Sequence, residues 1–286
     1  MKYSIIIGLS ENCYEFKRFD FILKTIVNSF RFIENKPEYE ILIPCMYSSG
    51  DIALQHMTHL GCNCIHGGIK IRSFYIPLPV NGYFSNSIQY NFAIRAAKGE
   101  YIIQTDTDVC WREDMVQNIE KILSADPDAF IGCDFRFIKE EYSDYSDDLY
   151  SEVTRGEVPE HKIRTQLADA GLGWFYGNLQ IFKKSLMVEA QGYDERMRNW
   201  GEWDNDWNLR ARMRCKARAL PQWSMYHLYH DHRAHKPYPE GWDFDRFHKL
   251  LLTYGREDKR FVKNDDNWGT TESKYFKHPD WEGYPE

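Results

Sequence analysis

Apolar, β-branched runs alternate with amphipathic stretches through the first third of the chain, and that alternation leaves few folds open. Residues 3–8, Tyr-Ser-Ile-Ile-Ile-Gly, form a short apolar run closed by glycine, the pattern of a strand buried on both faces. Residues 15–35 then carry Phe16, Phe19, Ile22, Leu23, Ile26, Val27 and Phe30 at the spacing of one helical stripe. The cycle repeats with a strand at 39–44 and a helix at 51–60, then with a strand near 69–76 and a helix over 85–98. Strand, helix, strand in this order predicts a doubly wound α/β sheet with helices on both faces. Residues 113–123 read as a further helix and 129–133 as a further strand.

Ligands of such sheets sit beyond the carboxyl ends of the strands. A nucleotide pocket is therefore expected along residues 8–12, which supply Gly8, Ser10 and Glu11, and along residues 46–51, which end on Asp51. The strongest chemical signal lies in residues 101–108, Tyr-Ile-Ile-Gln-Thr-Asp-Thr-Asp, an apolar strand delivering Asp106 and Asp108 at its end. Oxygen ligands of this kind suit a hard divalent cation, Mg²⁺ or Mn²⁺, with positions left for phosphate oxygens. Solvated loops also carry Asp-x-Asp pairs, so the surroundings of the pair decide its meaning.

Those surroundings are a helical stretch, a glycine stop and the strand: Asn91-Phe92-Ala93-Ile94-Arg95-Ala96-Ala97-Lys98-Gly99-Glu100 leads straight into Tyr101. The segment NFAIRAAKGEYIIQTDTD resembles the RN-x-G-x-x-x-A-x-G-E-Y-apolar-D-x-D segment of GT-A fold nucleotide-sugar glycosyltransferases, the family 2 and galactosyltransferase-like group. The resemblance implies a GT-A, Rossmann-like mixed sheet over residues 1–240, with a nucleotide-binding half at about 1–110 and an acceptor-binding half at about 111–240. A helix near 243–253 and a polar tail to 286 would follow. On the donor side it implies Asn91, Arg95 and Asp106. Relatives place an Asp right after the second strand, whereas Pro44-Cys45-Met46-Tyr47 stands there in this chain and Asp51 comes later.

Two later stretches extend the resemblance. Gly192-Tyr193-Asp194-Glu195 and Trp200-Gly201-Glu202-Trp203-Asp204-Asn205-Asp206 through Arg210 are similar to the family's G-aromatic-D-E and W-G-G-E-D-x-[DE]-x-x-x-R motifs. Asp204 falls where the family's general base lies, while Trp203 replaces the usual Glu and Glu202 the usual second Gly. Acids opening a helix also suit its dipole, so capping is the plainer reading of Glu202 and Asp206. His227 through Tyr238 resembles the H-x-x-H-x-x-R-x-x-[HK]-P-Y segment of polypeptide N-acetylgalactosaminyltransferases. In that register His230 joins Asp106 and Asp108 as a metal ligand, and Arg233 meets the diphosphate. His232 is the competing ligand.

Between these motifs, residues 139–168 are polar and acidic and read as an acceptor-side lid or a solvated excursion. The glycine-rich aromatic segment 171–182 places Trp174 where it can stack on a sugar, with Trp203 and Glu202 as further acceptor contacts. The resulting expectation is a Mn²⁺- or Mg²⁺-dependent transferase moving sugar from a nucleotide donor, a UDP-sugar favoured, to a glycan or other hydroxyl acceptor. Inversion follows from a base at Asp204, since the retaining polypeptide-modifying relatives lack an acid there. Two rivals share the scaffold: a catalytically silent nucleotide-sugar or carbohydrate-binding protein, and a transferase acting on modified DNA bases. A net charge of -7 with interspersed signs argues against nucleic acid. A nucleotidyltransferase would want a Gly-rich basic loop after the first strand, which residues 8–12 do not supply. Seven cysteines at irregular spacing fit reduced thiols, and no run of eighteen apolar residues occurs, so a soluble cytoplasmic protein is expected.

Overall fold

The computed structural model describes residues 1–10, 16–31, 33–34, 36–59, 65–66, 69–79, 84–164, 179–197, 203–221, 223–230 and 260–277. Within them the βαβ alternation holds: β1 (Tyr3–Ile7), β2 (Leu9–Ser10), α1 (Phe16–Ser29), β3 (Tyr39–Tyr47), α2 (Gly50–His59), β4 (Ile65–His66), β5 (Ile69–Pro77), α3 (Asn86–Ala96) and β6 (Tyr101–Thr105). After β6 come β7 (Val109–Trp111), α4 (Met115–Ala125), β8 (Phe130–Gly132), β9 (Phe135–Phe137), α5 (Asp147–Arg155), β10 (Leu179–Lys183), α6 (Lys184–Glu189), α7 (Trp203–Arg212), β11 (Ala217–Ala219) and β12 (Met225–His227). The large sheet runs β11-β8-β10-β6-β1-β3-β5-β4, with β2 paired to β3. Its centre is parallel, whereas β10 lies antiparallel between β6 and β8. This is the mixed α/β sheet expected of a GT-A fold.

Period-two burial explains the two helical layers. Ile5 and Ile7 of β1 pack with the α1 stripe of Phe19, Ile22, Ile26 and Phe30 on one face, while Ile6 joins Ala93 and Ile94 of α3 and Trp207 of α7 on the other. The turn from α3 into β6 is held tightly: Gly99 N–H donates to Ser4 Oγ at 2.8 Å, and a Cβ on Gly99 would stand 2.4 Å from the Ser4 nitrogen. β1 has β3 on one side and β6 on the other, so the strand order reverses there and a crevice opens beyond the carboxyl ends. A separate three-stranded sheet, β7-β12-β9, begins four residues after β6 ends.

Two expectations change. β3 runs on through Pro44-Cys45-Met46-Tyr47, so the residues read as a loop after the second strand are buried strand. Pro44 is tolerated because it falls between the partners β1 and β2, and its carbonyl accepts from Gln89 Nε2 at 2.8 Å. Residues 139–164 are not a solvated excursion. They hold α5, capped by Ser146 Oγ at its start and ended by Gly156 at φ 75, with Leu149 and Val153 buried and Tyr145 and Tyr150 against Phe21 of α1. In the tail, residues 260–277 pack onto α3 and α7. The helix expected at 243–253 lies outside the described residues. Cys45, Cys110, Cys133 and Cys215 are free thiols. No helix among the described residues is long and apolar enough to cross a membrane.

Candidate active site and metal centre

β6 stops at Thr105 and the chain turns through residues 106–108 before entering β7 of the small sheet. That change of sheet points the two carboxylates to different neighbours. β7 pairs with β12 so that His227 stands opposite Val109, and Leu228 N–H donates to the Asp108 carbonyl at 2.7 Å. Asp108, His227 and His230 thereby converge, their ligand atoms all within 4.8 Å of one another. Asp108 Oδ2 lies 2.9 Å from His230 Nε2, and Oδ1 lies 3.5 Å from His227 Nε2.

The protonation of this trio fits a cation. His227 Nδ1 is 2.8 Å from the Leu228 carbonyl, which can only accept, so Nδ1 carries the proton. In the neutral ring Nε2 then presents a lone pair to Asp108 Oδ1, a buried oxygen without a hydrogen-bond partner. Burial, with the charge of His230, lowers the His227 pKa below the usual imidazole value despite facing Asp108. Burial alone would raise the Asp108 carboxyl; the imidazoles of His227 and His230, then Arg18, outweigh it and hold the group below the ordinary carboxylate range. Two imidazole nitrogens and one ionised carboxylate make a donor set for a divalent ion.

Asp106 faces elsewhere. Its Oδ1 accepts from Tyr90 Oη at 3.2 Å, and burial, the Asp108 charge and the Asp204 charge push its carboxyl well above the usual range. Asp204 opens α7, half-buried, with its carbonyl accepting from Gln180 Nε2 at 3.1 Å. Beside it Trp203 is buried, stacked on Tyr90 with centroids 5.1 Å apart and edge-on to Tyr193 at 4.8 Å. The Tyr193 hydroxyl in turn reaches Gln104 Oε1 at 3.2 Å and Gln180 Oε1 at 3.3 Å. A line of carboxylates, Asp204, Asp106 and Asp108, thus ends at the two histidines.

The sequence profile of glycosyltransferase-like family 2 matches residues 5–281. The chain belongs to that family. Solved structures agree on the fold. Staphylococcus aureus TarS, residues 1–349 in complex with UDP-GlcNAc, superposes with a TM-score of 0.58 at 12% identity, covering 88% of this chain and 66% of that 1–349 chain. Mannosyltransferase PcManGT from Pyrobaculum calidifontis, in complex with GDP-Man and Mn²⁺, gives a TM-score of 0.52 at 17% identity, covering 91% of this chain and 65% of that one. The chain spans just under two thirds of the length of these neighbours. No curated protein matches the sequence.

Set against this family 2 fold, the expected site residues divide. Asp108 and His230 meet, His227 joins them, and Asp106 accepts from Tyr90. The H-x-x-H spacing carried that signal, but the register of β12 decides it. Gly8 lies where a Cβ would stand 2.6 Å from Gln89 Oε1, and Ser10 continues the β2 pairing to Met46. Asp51 is exposed in the first turn of α2. Three residues of the expected site have these partners in the fold. Asn91 is fully buried, its amide tied to the Tyr193 carbonyl, the Tyr193 N–H and Glu195 Oε1. Arg95 is engaged at the far end of α3, over the Trp268 ring and with the Trp268 carbonyl. Trp203 is buried against Tyr90 and Tyr193. Glu11, Trp174, Glu202 and Arg233 lie outside the described residues, as does His232.

Proposed function

We propose that this chain transfers a sugar from a nucleotide diphosphate donor, a UDP-sugar favoured, to an acceptor hydroxyl with inversion at the anomeric carbon. The observation that carries the proposal is half-buried Asp204 at the start of α7, near enough for its charge to act on Asp106, which in turn neighbours the trio of Asp108, His227 and His230. Family membership supports the reaction class, and the UDP-GlcNAc and GDP-Man in the neighbouring structures support the donor class. Trp203, seated in the core against Tyr90 and Tyr193, anchors the start of α7 beside Asp204.

Asp204 accepts the proton of the acceptor hydroxyl as its oxygen attacks the anomeric carbon from the face away from the nucleotide, an expected contribution of ~10²–10⁴ in rate. The bond from that carbon to the diphosphate oxygen breaks, and its electron pair leaves with the nucleoside diphosphate. Asp108, His227 and His230 would hold a divalent ion, which when bound neutralises the charge growing on the leaving phosphate. With two nitrogen ligands the trio favours Mn²⁺ over Mg²⁺, which prefers an all-oxygen shell. A donor screen with and without chelator, followed by proton NMR of the product before mutarotation, tests the proposal. Metal-dependent turnover to a β-linked product from an α-linked donor is expected, with Asp204→Asn binding donor normally and turning over slowly. A retained α product, or full turnover in Asp204→Asn, would remove the base; donor binding without any turnover would leave a binding protein on this scaffold.

A further inference from the structure

Lys263 is a buried cation that the proposed reaction does not use. Its side chain is 0% exposed, and Nζ donates to Asp206 Oδ1 at 2.6 Å. The other oxygen of Asp206 accepts from Arg210 Nε at 2.8 Å, so one carboxylate stands between two buried cations. Arg210 Nη1 also donates to the carbonyls of Gly192 at 3.0 Å and Phe261 at 3.1 Å. Buried charge clusters stabilise little compared with apolar packing of the same volume, and what they add is a defined geometry. The geometry defined here is that of α7, because Asp206 lies two residues after Asp204.

Separate contacts hold the segment that brings Lys263 in. Asn264 Nδ2 donates to the Gln191 carbonyl at 2.7 Å, and its Oδ1 accepts from Glu195 N–H at 3.0 Å. Gly269 N–H reaches Glu195 Oε1 at 2.6 Å, and Ser273 Oγ bonds Oε2 of the same carboxyl. Gly269 has φ 65 and lies so close to Asn91 that a Cβ would stand 2.6 Å from its carbonyl oxygen, so a larger residue would break the fit. Residues 260–277 are thus fastened to α3 and to the 191–195 turn independently of Lys263.

We propose that Lys263 is a positioning residue for glycosyl transfer: through Asp206 it sets the rotation of α7 that presents Asp204 to the acceptor. The inference rests on the reading of Asp204 as base. The segment 260–277, remote in sequence from every motif of the site, is then part of what makes the enzyme turn over. The substitution Lys263→Met keeps the stem and removes the charge, whereas Lys263→Arg keeps the charge at a different length.

The test uses the full chain with Mn²⁺, with UDP-GlcNAc and GDP-mannose as donor probes. It reads kcat for nucleoside diphosphate release, Kd for UDP and GDP by calorimetry, and amide exchange across α7 and α1. Lys263→Met is expected to lower kcat about 10- to 100-fold with nucleotide Kd within about twofold, because a small misplacement of a reacting group is enough. Amides of 203–212 should exchange about tenfold faster while those of 16–29 stay unchanged, and Lys263→Arg should recover part of both effects. Wild-type kcat with unchanged α7 exchange overturns the inference. So does a parallel loss of kcat, nucleotide affinity and α1 protection, which would make Lys263 a general strut. Should Lys263→Met not fold, Lys263→Arg is held to the same split between kcat and Kd. Full turnover in Asp204→Asn would instead remove the base reading, and with no turnover from either probe α7 exchange decides the positioning role.

Discussion

The buried carboxyl of Glu195 gives the fold a pH dependence with a definite sign. Burial raises it from 4.5 to about 7, against the Ser273, Asn91 and Gly269 hydrogen bonds that pull it down. The folded protein therefore holds a proton at pH values where the unfolded chain has released it. The stability that this proton confers is fully present below 4.5 and is lost as pH rises through about 7. At about 1.4 kcal/mol per unit of pKa difference, the whole window is worth about 3 kcal/mol. The perturbation is Glu195→Gln, which keeps the shape: Oε1 still accepts from Asn91 and Gly269, and the amide nitrogen takes the place of Oε2 beside Ser273. Urea unfolding of both proteins at steps from pH 4.5 to 8 isolates the group, since every other titration cancels in the difference. The Gln variant should gain about 3 kcal/mol on the wild type across that range, most of it between pH 5 and 7. A difference that stays flat, or that favours the wild type as pH rises, would refute the assignment of Glu195 as a carboxyl protonated by burial.

The trio makes its own demand. His227→Ala should weaken Mn²⁺-dependent UDP binding about as much as Asp108→Ala, whereas Asp106→Asn should weaken it less; calorimetry with and without the ion compares them, and an Asp106→Asn loss equal to that of Asp108→Ala would restore Asp106 to the ligand set. Turnover in Mg²⁺ should fall below that in Mn²⁺ at equal concentration, read as nucleotide release, and equal rates would speak against two nitrogen ligands. Gly99→Ala should cost about 1–3 kcal/mol in thermal unfolding, because the new Cβ meets the Ser4 and Tyr3 backbone, which cannot swing aside as a side chain would.

The sheet was legible where residue chemistry acts locally. Ile5-Ile6-Ile7 and Ile102-Ile103 read as strand because short β-branched runs with a glycine at one end have few other outlets, and the α1 stripe read as helix from its spacing alone. Pro44 misled, because a proline looks like the end of a strand; it is accommodated by a break in the neighbouring ladder that only the fold creates. α5 was passed over for a related reason, its Leu149 and Val153 being two apolar residues among acids, although Ser146 and Gly156 already marked both ends. In the site, Asp108 and His230 were visible through the resemblance. His227 was not assigned because its role depends on the register of β12 against β7, a long-range pairing no local window contains. The partners of Asn91, Arg95 and Trp203 were hidden for the same reason: they meet Tyr193, Trp268 and Tyr90, distant in sequence.

Because Asp108 adjoins the first residue of β7 and His227 is the last of β12, carboxylate and imidazole are spaced by a ladder of main-chain hydrogen bonds rather than by a loop. A site anchored in this way separates two kinds of inheritance. Surrounding loops can lengthen, shorten or change composition, and so change which nucleotide or acceptor is taken, while the pair keeps its distance. Drift in specificity and persistence of the charge centre can then proceed in one lineage without competing for the same residues.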